Sequence, residues 1–172
     1  VYTGAAPNQQ ILPAVKWTLD HLGKRFFLVG SDYVFPRTAN EIVKAQLTAL
    51  GGEVAGEEYL RLGSGDAAAV VRKIAQARPT VILNTINGDT NVPFFRRLRA
   101  SGVTPDKTST ISFSIGEQEL RQLNPEQMAG DYAAWNYFQS LDTPQNRRFV
   151  ETFRAKYGPQ RLLSDPMEAA YI

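Results

Sequence analysis

The sequence contains no cysteine, one histidine and two methionines among its 172 residues. Without cysteine, the chain cannot build a disulfide scaffold, a zinc ribbon or a thiol nucleophile. One histidine, His21, is too few for a histidine-based metal cluster, and it argues against a Ser-His-Asp triad. We therefore expect no metal, no cofactor and none of the common nucleophilic enzymes.

An excess of charge of one sign is also missing, as are long apolar runs. The 19 lysines and arginines and the 17 aspartates and glutamates leave a net charge of +2. Basic residues cluster only at Arg96, Arg97 and Arg99, which is typical of a solvated helix face rather than of a nucleic-acid surface. No apolar run approaches the roughly 20 residues that a membrane-spanning helix needs. These features predict a globular domain that contacts neither nucleic acid nor the membrane interior.

What the sequence does have is a regular alternation of strand-like and helix-like segments. Strands are predicted at residues 25–29, 54–60, 80–83, 109–113 and 132–138. Helices are predicted at residues 11–22, 38–50, 66–77, 89–100 and 143–157. Near-continuous apolar strands that alternate with helices indicate an α/β fold, with an open parallel sheet of about five strands and helices on both faces.

Polar and aromatic side chains follow three of the predicted strands, where an open α/β sheet binds its ligands. The residues are Ser31, Asp32, Tyr33 and Phe35 after the first strand, Asn84, Thr85, Asn87 and Asp89 after the third, and Ser114, Gly116 and Glu117 after the fourth. Helix caps and turns favour the same residue types, so each residue alone has a plain structural explanation. Their convergence on one edge of the sheet favours a binding site.

Motifs for nucleotide binding and nucleophilic catalysis are incomplete. The segment Gly63-Ser64-Gly65 lacks the third glycine of a dinucleotide fingerprint and follows the second strand rather than the first. No P-loop is present, and Gly30-Ser31-Asp32 lacks the second glycine of a nucleophile elbow. An enzyme is therefore the weakest of the functional hypotheses.

Several separate stretches resemble one branch of a known family. They are residues 2–10, 30–37, 84–91, 112–119, 133–138 and 165–169. Together they are similar to the periplasmic urea-binding proteins, the substrate-binding subunits of urea ABC transporters within the branched-chain amino acid-binding, or type I periplasmic binding protein, family. A weaker resemblance is to the cytoplasmic amide sensor that regulates aliphatic amidase expression.

The resemblance implies a domain organisation. The family has two Rossmann-like lobes joined by a hinge, and this chain resembles the second lobe. Residues 1–7 would then form a hinge or crossing segment, residues 8–158 the ligand-binding lobe, and residues 159–172 a second crossing segment with the start of a truncated helix. We expect a segment of a longer protein, with weak or undetectable ligand binding on its own, and with ends at residues 1–5 and 165–172 that are poorly packed or paired with another chain.

The resemblance also implies site residues. Tyr33 and Phe35 would wall the ligand pocket, Thr85 and Asn87 would lie near it, and Glu117 would accept hydrogen bonds from ligand amino groups. Ser114 or Thr85 would supply a hydroxyl. This set suits urea, a small planar molecule rich in N–H donors, and it requires no bond chemistry.

The function implied is that of a periplasmic solute-binding component of an ABC transporter. It would bind urea or a short aliphatic amide between two lobes and deliver it to the permease. The alternative is the ligand-sensing domain of an amide- or urea-responsive regulator or membrane receptor.

Overall fold

The computed structural model describes residues 4–164 and 167–168. The strands are β1 (Arg25–Ser31), β2 (Glu53–Leu60), β3 (Val81–Thr85), β4 (Ser109–Ser112) and β5 (Tyr132–Ala133). The helices are α1 (Ile11–His21), α2 (Val34–Leu50), α3 (Ala68–Ala77), α4 (Asn91–Ala100), α5 (Glu117–Leu120), α6 (Pro125–Met128) and α7 (Pro144–Tyr157). A 3₁₀ turn, Gly88–Thr90, precedes α4.

The five strands form one parallel sheet in the order β2-β1-β3-β4-β5. Its register pairs Gly30 with Thr85 and Asn84 with Ser112, so that β1, β3 and β4 end close to the same level. All carboxyl ends consequently lie at one edge of the sheet. The predicted α/β fold with an open five-stranded sheet is confirmed.

Helices cover both faces of the sheet, and the side chains of β1 alternate between the two layers. Phe26 and Leu28 are buried against α1 and α2, whereas Phe27 and Val29 are buried against α3 and α4. Burial on both faces explains why the strand has a continuous apolar sequence. In the residues described, no helix has the length and apolar character needed to cross a membrane.

Three helices begin two or more residues away from their predicted start. α2 begins at Val34 rather than near Thr38, because Pro36 lies in the first turn, where its missing N–H leaves no hydrogen bond unmade. α3 begins at Ala68, whose N–H donates to the Asp66 carboxylate at 2.9 Å. The third difference is the 3₁₀ turn, which replaces the first turn of the helix predicted from residue 89.

The fifth strand is much shorter than the predicted 132–138. Beyond Ala133, the N–H of Ala134 still donates to the carbonyl of Ser112 at 2.9 Å, and then the chain leaves the sheet. The aromatic residues that suggested a strand serve a separate small core instead. Tyr137 is buried there with Val150 and Leu163, which draws the chain away from β4 and towards α7.

An almost completely buried ion pair holds the β5 side of the sheet. Arg99 of α4 pairs with Asp131, and the two side chains are 5% and 6% exposed. Asp131 also accepts the N–H of Thr110 at 2.8 Å, while Arg99 donates to the carbonyls of Gln127 and Val103. Burial raises the pKa of Asp131, an effect that the charge of Arg99 opposes. The pair therefore links α4, β4 and the residue that precedes β5.

The domain boundaries at residues 7 and 158 stay predictions. Of the chain ends expected to pack poorly, residues 1–3, 165–166 and 169–172 lie outside the described part of the structure.

Candidate functional site

The candidate site is the edge of the sheet at the carboxyl ends of β1, β3 and β4. We call its three loops, residues 31–35, 86–90 and 113–117, the rim. Because β1, β3 and β4 are consecutive in the sheet, the first and last of these loops start about 10 Å apart, or two strand spacings. This span suits a small ligand that touches all three loops.

Asn87 joins two of the rim loops. Its backbone N–H donates to the Ser31 hydroxyl at 3.0 Å, and its side-chain amide donates to the Tyr33 hydroxyl at 2.8 Å and to the Thr85 carbonyl at 3.3 Å. The loop after β3 is therefore fixed to the loop after β1, and the Tyr33 side chain is held at the rim. Sequence reasoning placed Tyr33 and Asn87 at one site, and the structure brings them into direct contact.

The Tyr33 hydroxyl can donate a hydrogen bond to a ligand. The side chain is 37% exposed, and its oxygen accepts the amide N–H of Asn87, so its own proton does not serve that bond. Burial raises the pKa of Tyr33, and the hydrogen bond from Asn87 works in the opposite direction. The phenol is thus neutral at physiological pH and can donate. Phe35, in the first turn of α2, is exposed to a similar extent.

Thr85 lies below the rim rather than on it. Its side chain is fully buried, and its hydroxyl donates to the Val29 carbonyl at 3.2 Å. Gly30 makes room for it, because a Cβ on that glycine would lie 2.5 Å from the Thr85 hydroxyl oxygen and 2.8 Å from Pro36 Cβ. Thr85 accordingly contributes to the packing of β1, β3 and α2 under the site.

Glu117 is the first residue of α5 and is half-buried. Its Oε1 accepts both the N–H and the hydroxyl of Ser140, each at 2.9 Å. These two bonds fix the carboxylate and leave Oε2 outside them. Ser114, in the same rim loop, is also half-buried.

Sequence reasoning missed two side chains beside Glu117. Ser140 fixes the carboxylate, but it lies 23 residues away in the chain and has no motif. The Trp135 ring lies about 3.6 Å from the position that a Cβ on Gly116 would take, so it covers the start of α5. The aromatic-rich stretch around Trp135 is visible in the sequence, but its pattern predicts a strand rather than a part of the site.

The segment that leads into α1 is also tied to this edge. The Gln10 side-chain amide donates to the carbonyl of Phe113 at 3.0 Å and to that of Ala134 at 2.6 Å. One side chain thus connects the start of the lobe with β4 and with the chain beyond β5.

The rim loops contain three acidic residues, Asp32, Asp89 and Glu117, and no lysine or arginine. Asp32 is paired at 2.7 Å with Arg37 of α2, so one cationic group lies directly beside the rim. Within residues 4–164 and 167–168, no three histidine, cysteine or acidic side chains are grouped so that they could hold a metal ion. The arrangement suits hydrogen bonding to a ligand that is rich in N–H donors.

Comparison with known proteins identifies the family of the chain. A sequence model of the periplasmic binding protein domain matches residues 1–172. Leu/Ile/Val-binding protein homolog 6 of Brucella melitensis biotype 1 is 30% identical over 177 residues, which cover 99% of this chain and 44% of that protein. The chain therefore spans less than half the length of this curated relative.

Solved structures show the same fold. An amino acid ABC transporter substrate-binding protein from Pseudomonas fluorescens Pf-5 is 26% identical, with a TM-score of 0.80 over 99% of this chain and 45% of that one. A solute-binding protein from Rhodopseudomonas palustris HaA2, solved with p-hydroxybenzoic acid, is 19% identical, with a TM-score of 0.84 over 98% of this chain and 46% of that one. The match over the whole sequence and the parallel sheet covered on both faces show that the chain belongs to the type I periplasmic binding protein family.

Proposed function

We propose that this chain is a ligand-binding lobe of a periplasmic solute-binding protein that serves an ABC permease, and that its ligand is urea or a short aliphatic amide. The lobe binds this ligand at the rim and performs no chemistry. The observation that carries the proposal is the contact of Asn87 with Tyr33 and Ser31, which gathers hydrogen-bonding groups of two loops beside an acidic third loop.

The hydrogen-bonding groups of the rim complement urea. The Tyr33 hydroxyl supplies a donor for the urea carbonyl. Glu117 Oε2 and Asn87 Oδ1 supply acceptors for its N–H groups. The rings of Tyr33 and Phe35 provide flat apolar walls for a planar molecule. Short amides keep the carbonyl and one amino group, so the same side chains can bind them.

The acidic group of the third rim loop favours a ligand with N–H groups. Glu117 lies in that loop with Oε2 outside its bonds to Ser140, whereas Asp32 of the first loop is paired with Arg37 at 2.7 Å. A carboxylate acceptor suits the amino groups of urea and of short amides. The names of the Brucella and Pseudomonas proteins support the competing candidate, a branched-chain or other amino acid.

A ligand panel on the full-length protein tests the proposal. Thermal shift and calorimetry with urea, formamide, acetamide, leucine, valine and p-hydroxybenzoate should show stabilisation by urea or the amides. Each ligand is used at millimolar concentration, where urea does not denature proteins. If leucine, valine or p-hydroxybenzoate raised the melting temperature while urea and the amides did not, the proposal would be wrong.

Glu117→Gln tests the acceptor directly. Glutamine keeps an oxygen for Ser140 but presents an N–H₂ group where the ligand needs an acceptor. An unmade buried hydrogen bond costs about 1–3 kcal/mol, so urea affinity should fall about tenfold or more. Glu119→Gln is the matched control, because glutamine can still accept the N–H of Gly116 that Glu119 accepts at 2.9 Å. Equal affinities in the two variants would contradict the role of Glu117.

A further inference from the structure

Two fully buried asparagines lie directly below the loop that carries Asn87. Asn84 is the last residue but one of β3, and Asn91 begins α4. The Asn84 amide donates to Asn91 Oδ1 at 2.9 Å and to the Ser112 hydroxyl at 3.1 Å. The two side chains therefore form one hydrogen-bonded pair, which is also anchored to β4.

The rest of this pair's hydrogen bonding goes to the backbone on both sides of Asn87. Asn84 Oδ1 accepts the N–H of Ile86 at 2.9 Å. The Asn91 amide donates to the carbonyl of Ile86 at 2.9 Å and to that of Gly88 at 3.3 Å. Gly88 has a φ of 62°, a left-handed conformation that glycine adopts without strain. The buried pair therefore fixes the backbone of Ile86 and Gly88, the residues on either side of Asn87.

The chemistry of the pair points to positioning of the loop. Each side-chain amide uses both of its N–H groups, and each oxygen has a donor. Apolar residues could fill the same space, but they could not fix the peptide groups of residues 86 and 88. Buried polar groups with all partners present define a single arrangement, and losing one partner leaves the others unsatisfied.

We propose that Asn84 and Asn91 are positioning residues of the ligand site: through the backbone on either side of Asn87, they hold its amide against the Tyr33 hydroxyl. The effect of the asparagine pair on ligand affinity rests on the proposed function. The effect of the pair on the Tyr33 side chain does not depend on which ligand the protein binds.

The test uses the full-length protein labelled with 3-fluorotyrosine. The Tyr33 resonance in the ¹⁹F spectrum is assigned by its loss in Tyr33→Phe, and its position without the Asn87 bond is given by Asn87→Ala. Asn91→Asp keeps the acceptor for Asn84 but faces the carbonyls of Ile86 and Gly88 with a carboxylate. In this variant the Tyr33 resonance should move towards its position in Asn87→Ala, and urea affinity should fall about tenfold or more.

Thr108→Val is the control for a general loss of stability. Thr108 is buried at the opposite edge of the sheet, and its hydroxyl donates to the Pro79 carbonyl at 2.8 Å. This variant should lose stability without moving the Tyr33 resonance or the urea affinity. If Asn91→Asp does not fold, Ser112→Ala removes one acceptor of the Asn84 amide and should move the resonance in the same direction by a smaller amount.

The outcomes separate the two proposals. A Tyr33 resonance that stays at its wild-type position in folded Asn91→Asp, or in Ser112→Ala when Asn91→Asp is unfolded, overturns the positioning role. Wild-type protein that does not bind urea or an amide overturns the proposed function, while the resonance still decides the role of the asparagine pair.

Discussion

Removal of one charge from the buried Arg99–Asp131 pair should destabilise the protein strongly. Asp131→Asn keeps the shape of the side chain and an oxygen for the N–H of Thr110, but it leaves the Arg99 guanidinium without a counter-charge. The bonds from Arg99 to the carbonyls of Gln127 and Val103 satisfy some of its N–H groups and none of its charge.

The size of the effect follows from burial. With both side chains about 95% covered, breaking the pair should cost about 3–5 kcal/mol, the range for an uncompensated buried charge. For a chain of about this size, 3 kcal/mol lowers the melting temperature by roughly 6–12 °C. The Arg147–Asp142 pair provides the contrast, because its side chains are 56% and 84% exposed. Asp142→Asn should therefore cost less than about 1 kcal/mol.

Calorimetric melting of the two variants tests whether the stability lost depends on the burial of the ion pair or only on the loss of an ion pair. A third variant, Asp131→Asn combined with Arg99→Met, removes both charges and should recover part of the loss. The reasoning is refuted if Asp131→Asn melts within 2 °C of Asp142→Asn, or if the double variant is less stable than Asp131→Asn alone.

Two further predictions concern packing and pH. Gly30→Ala should cost about 1–3 kcal/mol, because its methyl group would overlap Thr85 and Pro36, whereas Gly65→Ala, which has no atom within 4 Å of the new methyl, should be nearly neutral in chemical denaturation. Burial and the hydrogen bond to Glu57 raise the pKa of Tyr59 from 10.0 to about 12. As the pH rises, Tyr59 therefore loses its proton at a lower pH in the unfolded chain than in the folded protein. Stability should then fall as the pH rises from 10 to about 12, and thermal melts of Tyr59→Phe in this range should show a shallower decline; an identical decline would contradict the assignment.

The fold was predictable because its main signals are local. Continuous apolar runs marked β1 and β3, and the helical spacing of residues such as Val70 and Ile74 marked the core-facing side of α3. The fifth strand failed because aromatic residues suit a strand and a small core equally well. Only the contact of Tyr137 with α7, which comes later in the chain, distinguishes the two.

The site was predictable only in part. The rule that ligands bind at the carboxyl ends of parallel strands selected Tyr33, Asn87 and Glu117, but it could not separate the exposed Tyr33 from the buried Thr85. Thr85 is buried because its side chain occupies the space that the missing side chain of Gly30 leaves on the neighbouring strand, a contact that the sequence does not reveal. Ser140 escaped detection because its bond to Glu117 joins distant parts of the sequence.

Gln10 gives the lobe a mechanical property. Its amide clamps two carbonyls that lie 103 and 124 residues further along the chain, at the end of β4 and just beyond β5. We therefore expect a force on the backbone before α1 to be transmitted through these two hydrogen bonds to the sheet edge beside Glu117. A displacement of the segment that enters the lobe would then change the position of the third rim loop.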